Sequence, residues 1–423
     1  MSKKFDIAVL GGGIVGHTLA LLLARDRWRV ALVQCARVAP SHDIRAYALN
    51  QAAHQVLSEL RVWPDAIAAT PVQQMWVSEA DAPAPPPDLG GAAASMAAAT
   101  ASPLAAATAS ETATVSGTAT ASGSAPASAS PAAHLRFAAP SAEQPLAWIV
   151  DVPALEQRLQ QALQFQSGIE LLDSAPPAAL TVICEGKHSS TRTQLGFEYD
   201  VRHYAHTAVA ARLRCERPHQ GVARQWFLGG DVLALLPMEG EQGHLVALVW
   251  SLGHERAQAL LQCDAPGFSR SVGQACEHAL GAMTLQGEPA GWPLQLSSAR
   301  HWVRPGYALA GDAAHAMHPL AGQGLNVGLG DVAALARLLR EREYWREPGD
   351  WRLLRRYERE RRADFERMAG LTDSLYHLFG IGDSRVQVLR RCGLRAFERM
   401  GPLKNWAMRQ AMGGSAQPAH RPA

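Results

Sequence analysis

The chain has 423 residues, of which 48% are hydrophobic and 18% charged, with a formal net charge of +2. That length fits two or three domains around a large core, the charge is too small to point to nucleic acid, and no apolar run approaches the roughly 18 residues that cross a bilayer. Met1-Ser2-Lys3-Lys4 ahead of Phe5–Leu10 reads as no secretory leader, and six scattered cysteines with no CxxC pair fit a reducing compartment better than a disulfide scaffold or zinc ribbon.

In chain order, Ile7–Leu10 is a short continuous apolar run, the mark of a strand buried on both faces. Gly11–Gly16 is a turn, His17–Arg25 a helix rich in Leu and Ala, and Arg29–Val33 a second strand. Together they make a βαβ opening of about 30 residues. Met75–Val77 and Leu135–Phe137 read as strands on either side of residues 81–133, where 46 of 53 residues are Ala, Ser, Thr, Pro or Gly. Such a segment has too little apolar surface to offset the entropy of ordering it, so a disordered insertion at the tip of a hairpin is expected.

Val152–Leu163 reads as a helix with Asp151 as N-cap and Pro153 in its first turn. Residues 206–216, 231–237 and 244–252 read as strands of an antiparallel sheet. Tyr307–Ala310 is another short strand, Asp331–Arg342 a helix, and 350–378 and 385–411 are arginine-rich amphipathic helices before a frayed end at 414–423. Val332–Met412 holds 18 Arg and Lys against 11 Asp and Glu. The favoured reading is a solvated face with i,i+4 pairs such as Glu358 with Arg362; docking on anionic lipid is the alternative.

Two strings carry chemistry. In Gly11-x-Gly13-x-x-Gly16, the first glycine permits the tight turn, the second lets backbone approach a pyrophosphate and the third lets helix pack on strand. The helix start that follows offers free N–H groups and a positive dipole end to phosphates. The acidic residue usual at the end of the second strand is replaced by Gln34, a neutral and weaker ribose acceptor. The second string runs Gly311-Asp312-Ala313-Ala314-His315-Ala316-Met317-His318-Pro319-Leu320-Ala321-Gly322-Gln323-Gly324-Leu325-Asn326. Its aspartate can accept hydrogen bonds from a polyol, and its glycine-rich helix start can dock a planar anionic ring edge. No His, Cys, Asp or Glu spacing suggests a metal site. His315 and His318 read as loop-stabilising hydrogen bonders as readily as acids or bases, and the residues name no catalytic group.

These strings resemble the FAD-dependent aromatic hydroxylases, and more closely the UbiH/UbiF-type hydroxylases of ubiquinone biosynthesis. Asp43-Ile44-Arg45-Ala46-Tyr47-Ala48-Leu49-Asn50, Arg217–Phe227, Leu233–Pro237, Val249-Trp250-Ser251 and Tyr357–Arg361 agree with that family. The resemblance spans most of residues 5–411 outside the insertion. It implies an α/β (α+β) fold with a Rossmann-like FAD domain and an antiparallel substrate sheet. The expected boundaries are 1–70, 141–192 and 301–345 for the discontinuous FAD domain and 71–80, 134–140 and 196–300 for the substrate domain, followed by C-terminal helices at 346–413. It also implies that Gly11, Gly13, Ile14, Val15, Gly16 and Gln34 hold the ADP moiety, and that Arg45 touches the flavin cofactor. Asp312 would bind the ribityl chain, and Pro319, Gly322, Gln323, Gly324, Leu325 and Asn326 would lie along the isoalloxazine. Glu185 and Gly186 stand where the family has an Asp-Gly pair.

The implied reaction is hydroxylation of a polyprenylated phenol with FAD, NAD(P)H and dioxygen, the flavin carrying the oxidation and the protein the positioning. No second nucleotide fold is recognisable for NAD(P)H, so its use rests on the resemblance. The implied location is cytoplasmic, with peripheral contact on the inner face of a membrane and a place in a quinone-biosynthesis complex. Gln34, Glu185 and a segment between Leu163 and Thr181 shorter than the family's are departures within one cofactor site. They keep two alternatives open: the same chemistry on another aromatic substrate, and a non-catalytic subunit that retains the fold. An NAD-dependent dehydrogenase is disfavoured, since the Gly311–Asn326 string fits a flavin.

Overall fold

The structure, a computed structural model, describes residues 5–34, 43–80, 134–317 and 324–380. The chain opens with β1 (Phe5–Leu10), α1 (Ile14–Arg25), β2 (Val30–Val33), β3 (Ala46–Leu49), α2 (Gln51–Glu59), β4 (Ala69–Val72) and β5 (Gln74–Ala80). It resumes with β6 (His134–Ala138), β7 (Ala147–Asp151), α3 (Val152–Gln164), β8 (Ile169–Leu172), β9 (Ala178–Ile183) and α4 (Ser190–Gln194). Then come β10 (Tyr199–Cys215), β11 (Val222–Leu228), β12 (Asp231–Pro237), β13 (Leu245–Gly253), α5 (His254–Leu261), α6 (Ala265–Ala275) and β14 (Met283–Ala299). The last elements are β15 (Val303–Arg304), β16 (Tyr307–Leu309), β17 (His315–Ala316), α7 (Gly324–Arg340) and α8 (Trp351–Gly380).

The strands form three sheets. A six-stranded sheet has the order β15-β16-β9-β1-β2-β8, parallel from β16 to β8. Central β1 buries Ile7, Ala8 and Val9 completely, as a parallel strand covered on both faces must. A three-stranded sheet, β3-β7-β4, lies between this layer and an eight-stranded sheet ordered β17-β14-β10-β13-β12-β11-β5-β6. β5 and β6 pair antiparallel, with Met75 opposite Phe137, as two arms of one hairpin; residues 81–133 lie outside the described residues.

Several sequence expectations need correction. α1 begins at Ile14 rather than His17, because Gly13 is its N-cap and accepts from His17 N at 2.9 Å. α7 begins at Gly324 rather than Asp331, which lies fully buried inside the helix. β10 starts at Tyr199, and the 17-residue β14 beside it was not anticipated. It is long and only partly buried, so it lacks the apolar run that announces an internal strand. Asp151 caps α3 by position, but its side chain accepts from Arg212 instead of the helix N–H groups. The Glu358–Arg362 pair does not form. Glu358 is 3% exposed and accepts from Trp302 N (2.7 Å) and Arg355 Nη1 (2.6 Å), while Arg362 reaches Glu366 at 2.8 Å. α8 packs Leu354, Tyr357 and Phe365 into the core of the six-stranded layer, so it is an integral part of that layer. The helix expected over 385–411 lies outside the described residues.

Candidate active site

β1 and β9 run parallel and end together, with Leu10 opposite Ile183. The turn from Gly11 to Gly16 lies against that end. A Cβ on Gly11 would fall 2.3 Å from Cys184 O, and Gly11 itself has φ +127°, a backbone reserved for glycine. A Cβ on Gly16 would fall 2.0 Å from Gly11 O. The turn therefore exists only as glycine. Gly13 gives α1 no side-chain cap, so the first N–H groups, at Ile14 and Val15, are free to meet an anion.

Gln34 follows β2 and rests on the turn, its Cγ 3.1 Å from where a Gly12 Cβ would be. Its amide meets His17 Nε2 at 2.8 Å, and His17 is 1% exposed on α1. The position expected to hold a ribose carboxylate thus carries an amide oriented by a buried ring.

At the end of β9, Glu185 turns away from the turn. Its carboxylate accepts from Ser189 Oγ (2.5 Å), Thr191 Oγ1 (2.8 Å) and Thr191 N (3.2 Å), closing the N-terminus of α4. The methylene that separates Glu from Asp gives this reach. Gly186 has φ +78° and nothing within 4 Å of a would-be Cβ, so the space beside its Cα is open.

The second string crosses between sheets. β16 belongs to the six-stranded sheet, β17 pairs with β14 in the eight-stranded one, and Gly311–Ala313 form the turn between them. Asp312 sits on this crossing. Its side chain is exposed to solvent at the surface yet surrounded by protein groups. Burial pushes its carboxyl above the usual range; His315 and Lys187 counteract this only in part. No donor among the described residues reaches the carboxylate, whereas the backbone around it is fixed. Tyr199 Oη donates to Asp312 O (3.1 Å), and Arg192 Nη1 donates to Ala313 O (3.0 Å) while its guanidinium lies 3.6 Å over the Tyr199 ring.

Behind the crossing is a buried ionic knot. Asp331 Oδ2 accepts from Gly311 N (3.0 Å) and His315 Nε2 (2.7 Å), and Oδ1 accepts from Arg361 Nε of α8 (2.9 Å). Burial alone would raise this carboxyl, but His315 and Arg361 outweigh it and hold it below its ordinary value. His315 stacks on Phe365 with centroids 4.8 Å apart, so it acts here as a loop-stabilising hydrogen bonder.

Arg45, just ahead of β3, is held by Asp43 (2.5 Å) and Glu156 (3.4 Å). Asn326, in the first turn of α7, donates to Ala48 O (2.8 Å) and accepts from Asn50 N (3.0 Å). It thereby joins two strings that lie 276 residues apart. Gly324 and Leu325 open α7, and a Cβ on Gly328 would meet Val15 at 3.0 Å and Gly311 at 3.2 Å. Gly11, Gln34, Arg45, Glu185, Asp312 and Asn326 are thus all placed around the ends of β1, β9 and β16. Pro319, Gly322 and Gln323, together with His318, lie outside the described residues. Arg192, Tyr199, Asp331 and Arg361 were missed as site residues. Their only signal in the sequence is a charged or polar residue at a core position of an otherwise apolar pattern.

The cradle fits a dinucleotide: glycines where a Cβ would clash, an uncapped helix start, and an unengaged carboxylate on a braced turn. Comparison with known proteins agrees. Residues 177–372 match the model of the FAD binding domain. The ubiquinone hydroxylase UbiL of Rhodospirillum rubrum is 31% identical over 437 residues, covering 97% of this chain and 90% of that protein. The chain belongs to the FAD-dependent hydroxylases of ubiquinone biosynthesis. Within this family, the 3-demethoxyubiquinol 3-hydroxylase of Escherichia coli is 29% identical, over 97% of this chain and 99% of its own length. The human mitochondrial ubiquinone biosynthesis monooxygenase COQ6 is 33% identical over 54% of this chain and 56% of its own. Among solved structures, the probable FAD-dependent monooxygenase PqsL of Pseudomonas aeruginosa superposes with a TM-score of 0.66 at 17% identity, covering 93% of this chain and 100% of that one. That likeness shows the mixed α/β fold of the flavin monooxygenases.

Proposed function

We propose that this hydroxylase acts on the ring of a polyprenylated phenol in ubiquinone biosynthesis, with NAD(P)H as reductant and dioxygen as oxidant. The reading is carried by the match to a ubiquinone hydroxylase along 97% of this chain. Bound FAD would supply the redox chemistry, taking electrons from NAD(P)H and passing one oxygen atom to the ring. The chain supplies binding, orientation and exclusion of water. Gly11, Gly13, Ile14, Val15 and Gly16 present backbone to the pyrophosphate, Gln34 faces the ribose, and Asp312 accepts from the ribityl hydroxyls. Arg45 and the backbone of Glu185 and Gly186 border the cofactor, while Pro319, Gly322, Gln323, Gly324, Leu325 and Asn326 line its ring edge. In this assignment the six- and three-stranded layers with α7 form the FAD-binding domain, and the eight-stranded sheet is the substrate domain.

No helix among the described residues is long and apolar enough to cross a membrane. A polyprenyl tail partitions into lipid, so peripheral contact with the membrane surface and a place in a quinone-biosynthesis complex belong to the same reading. The test is the visible spectrum of the purified protein. Flavin absorbance that NADPH bleaches and air restores, with a prenylated phenol yielding a hydroxylated product, is the expected result. A colourless protein that fails to take up added FAD would overturn it in favour of the non-catalytic subunit, which Gln34 and Glu185 motivate.

A further inference from the structure

Around the loop that joins α7 to α8, most charges neutralise one another. Glu341 pairs with Arg337, Glu343 and Asp350 pair with Arg346, and Glu358 pairs with Arg355. Arg342 lies over the Trp28 ring at 4.3 Å and donates to Leu339 O (3.0 Å) and Arg346 O (3.0 Å). Of the carboxylates from Glu341 to Glu358, Glu347 alone meets no cation among the described residues. Three cations are left over. Arg352, Arg356 and Arg359 are exposed and reach no carboxylate among the described residues. Their spacing of four and three residues puts them on one face of α8, along about 10 Å of its length.

Beside that face stands a cluster of exposed aromatic rings. Tyr344 is 89% exposed, Trp345 67% and Trp351 45%. The Tyr344 and Trp345 rings meet edge to face, with centroids 5.0 Å apart. Trp345 and Arg352 line one hollow with Ala179 and Gly306, at the starts of β9 and β16. The loop that carries the rings is braced. Arg346 ties Glu343 to Asp350 (2.8 Å each), and a Cβ on Gly349 would fall 2.2 Å from Ala179 O. Rings held out in water by a braced loop contribute little burial to the fold, so their clustering marks a surface that something else covers.

We infer that Tyr344, Trp345 and Trp351, with Arg352, Arg356 and Arg359, dock the protein on a bilayer that carries anionic headgroups; this rests on the peripheral membrane contact in the reading above and names its surface. Tyr and Trp combine an apolar body with a polar tip, which suits the headgroup level. The three guanidinium groups form a row of unclaimed charges, not a pocket around one anion, and a row matches a field of headgroups. The cofactor cradle lies at the opposite ends of β9 and β16, so this contact anchors the chain and leaves the cradle uncovered.

The test is co-sedimentation of the FAD-loaded full chain with vesicles of phosphatidylglycerol and phosphatidylcholine, and with vesicles of phosphatidylcholine alone. The wild type is expected to bind the first, to bind the second far more weakly, and to be released by salt. Arg352→Gln, Arg356→Gln and Arg359→Gln combined are expected to weaken binding to the anionic vesicles roughly a hundredfold, at about fivefold per cation near the surface. Tyr344→Ser with Trp345→Ser is expected to weaken it roughly tenfold. All five side chains are exposed, so flavin content and melting temperature should match the wild type. If the triple variant fails to keep FAD, Arg356→Gln alone is expected to show the roughly fivefold loss. Variants that bind like the wild type overturn the inference and leave this surface to a protein partner. A wild type that ignores the anionic vesicles also overturns it, while the flavin spectrum and the hydroxylated product decide the phenol reading separately.

Discussion

At the ends of β1, β9 and β16, the polar groups that face the cleft are mostly backbone, and the side chains behind them are spent on holding that backbone still. Asp331 grips Gly311 N, Arg192 grips Ala313 O, and Asn326 grips Ala48 and Asn50. Across the eight-stranded sheet the backbone is consumed in the ladder, and the face toward β3 offers side chains alone, Arg212, Gln225 and Ser251 among apolar groups. The difference teaches where each kind of ligand is read. Oxygen-rich ligands such as a pyrophosphate or a ribityl chain call for N–H groups and a carboxylate in exact backbone placement. A ring with little to hydrogen-bond calls instead for shape and few polar atoms.

Three substitutions sharpen this contrast. The largest effect is expected from Gly16→Ala, whose new Cβ would lie 2.0 Å from Gly11 O. The turn cannot give way without moving off β9, so FAD affinity should fall more than a hundredfold when the apoprotein is titrated with flavin. Wild-type affinity would mean that the cradle is not built from this backbone.

Asp312→Asn comes next. Hydrogen bonds to a charged acceptor contribute about 1.5–3 kcal/mol, so FAD affinity should drop roughly ten- to a hundredfold. The pH dependence has a definite sign. Polyol hydroxyls donate to the ionised carboxylate, so bound FAD lowers a carboxyl that burial has raised in the free protein. Affinity should thus be full at neutral pH and decline as pH falls through the free-protein value, in a window that opens above the ordinary carboxylate range. Titrations of FAD at several pH values should show this slope in the wild type and a flat line in Asp312→Asn.

The smallest effect is expected from Glu185→Gln. Glu185 closes the start of α4 through Ser189 and Thr191, so denaturant unfolding should report a loss of about 1 kcal/mol with FAD affinity changed less than about threefold. A tenfold loss of FAD would place the Glu185 carboxylate on the cofactor and remove its role as a cap.

Much of the cradle was legible before any coordinates. Gly11, Gly16 and Asp312 are short-range signals, since each sits at a strand end where only that residue type suits the local backbone or an oxygen-rich ligand. The strands β1, β2, β12 and β13 were legible for a similar reason, their apolar runs being set by burial within each strand. The reading failed where a neighbour in space, not in sequence, decided the outcome. Glu358 looked like half of an exposed i,i+4 pair, but it lies under Trp302 and pairs with Arg355. Asp331 looked like a helix start, but it is the buried anchor of the Gly311–Ala313 turn. Gln34 looked like a plain weakening of ribose recognition, and the ring of His17 that orients it could not be foreseen.

The sequence by itself determined that a glycine turn suited to a dinucleotide follows the first strand and that an aspartate sits on a second glycine-rich crossing. Those demands are local: a φ that only glycine adopts, a helix start without a cap, a carboxylate after a short buried strand. Only the tertiary structure decided that Asp331, Arg361, Arg192 and Tyr199 brace that crossing, and that Gln225 lies in one row with Ala210, Val249, Ala234 and Val77. The first depends on side chains brought together from distant parts of the chain. The second depends on strand register, where a slip of one residue would turn every side chain of a strand to the opposite face.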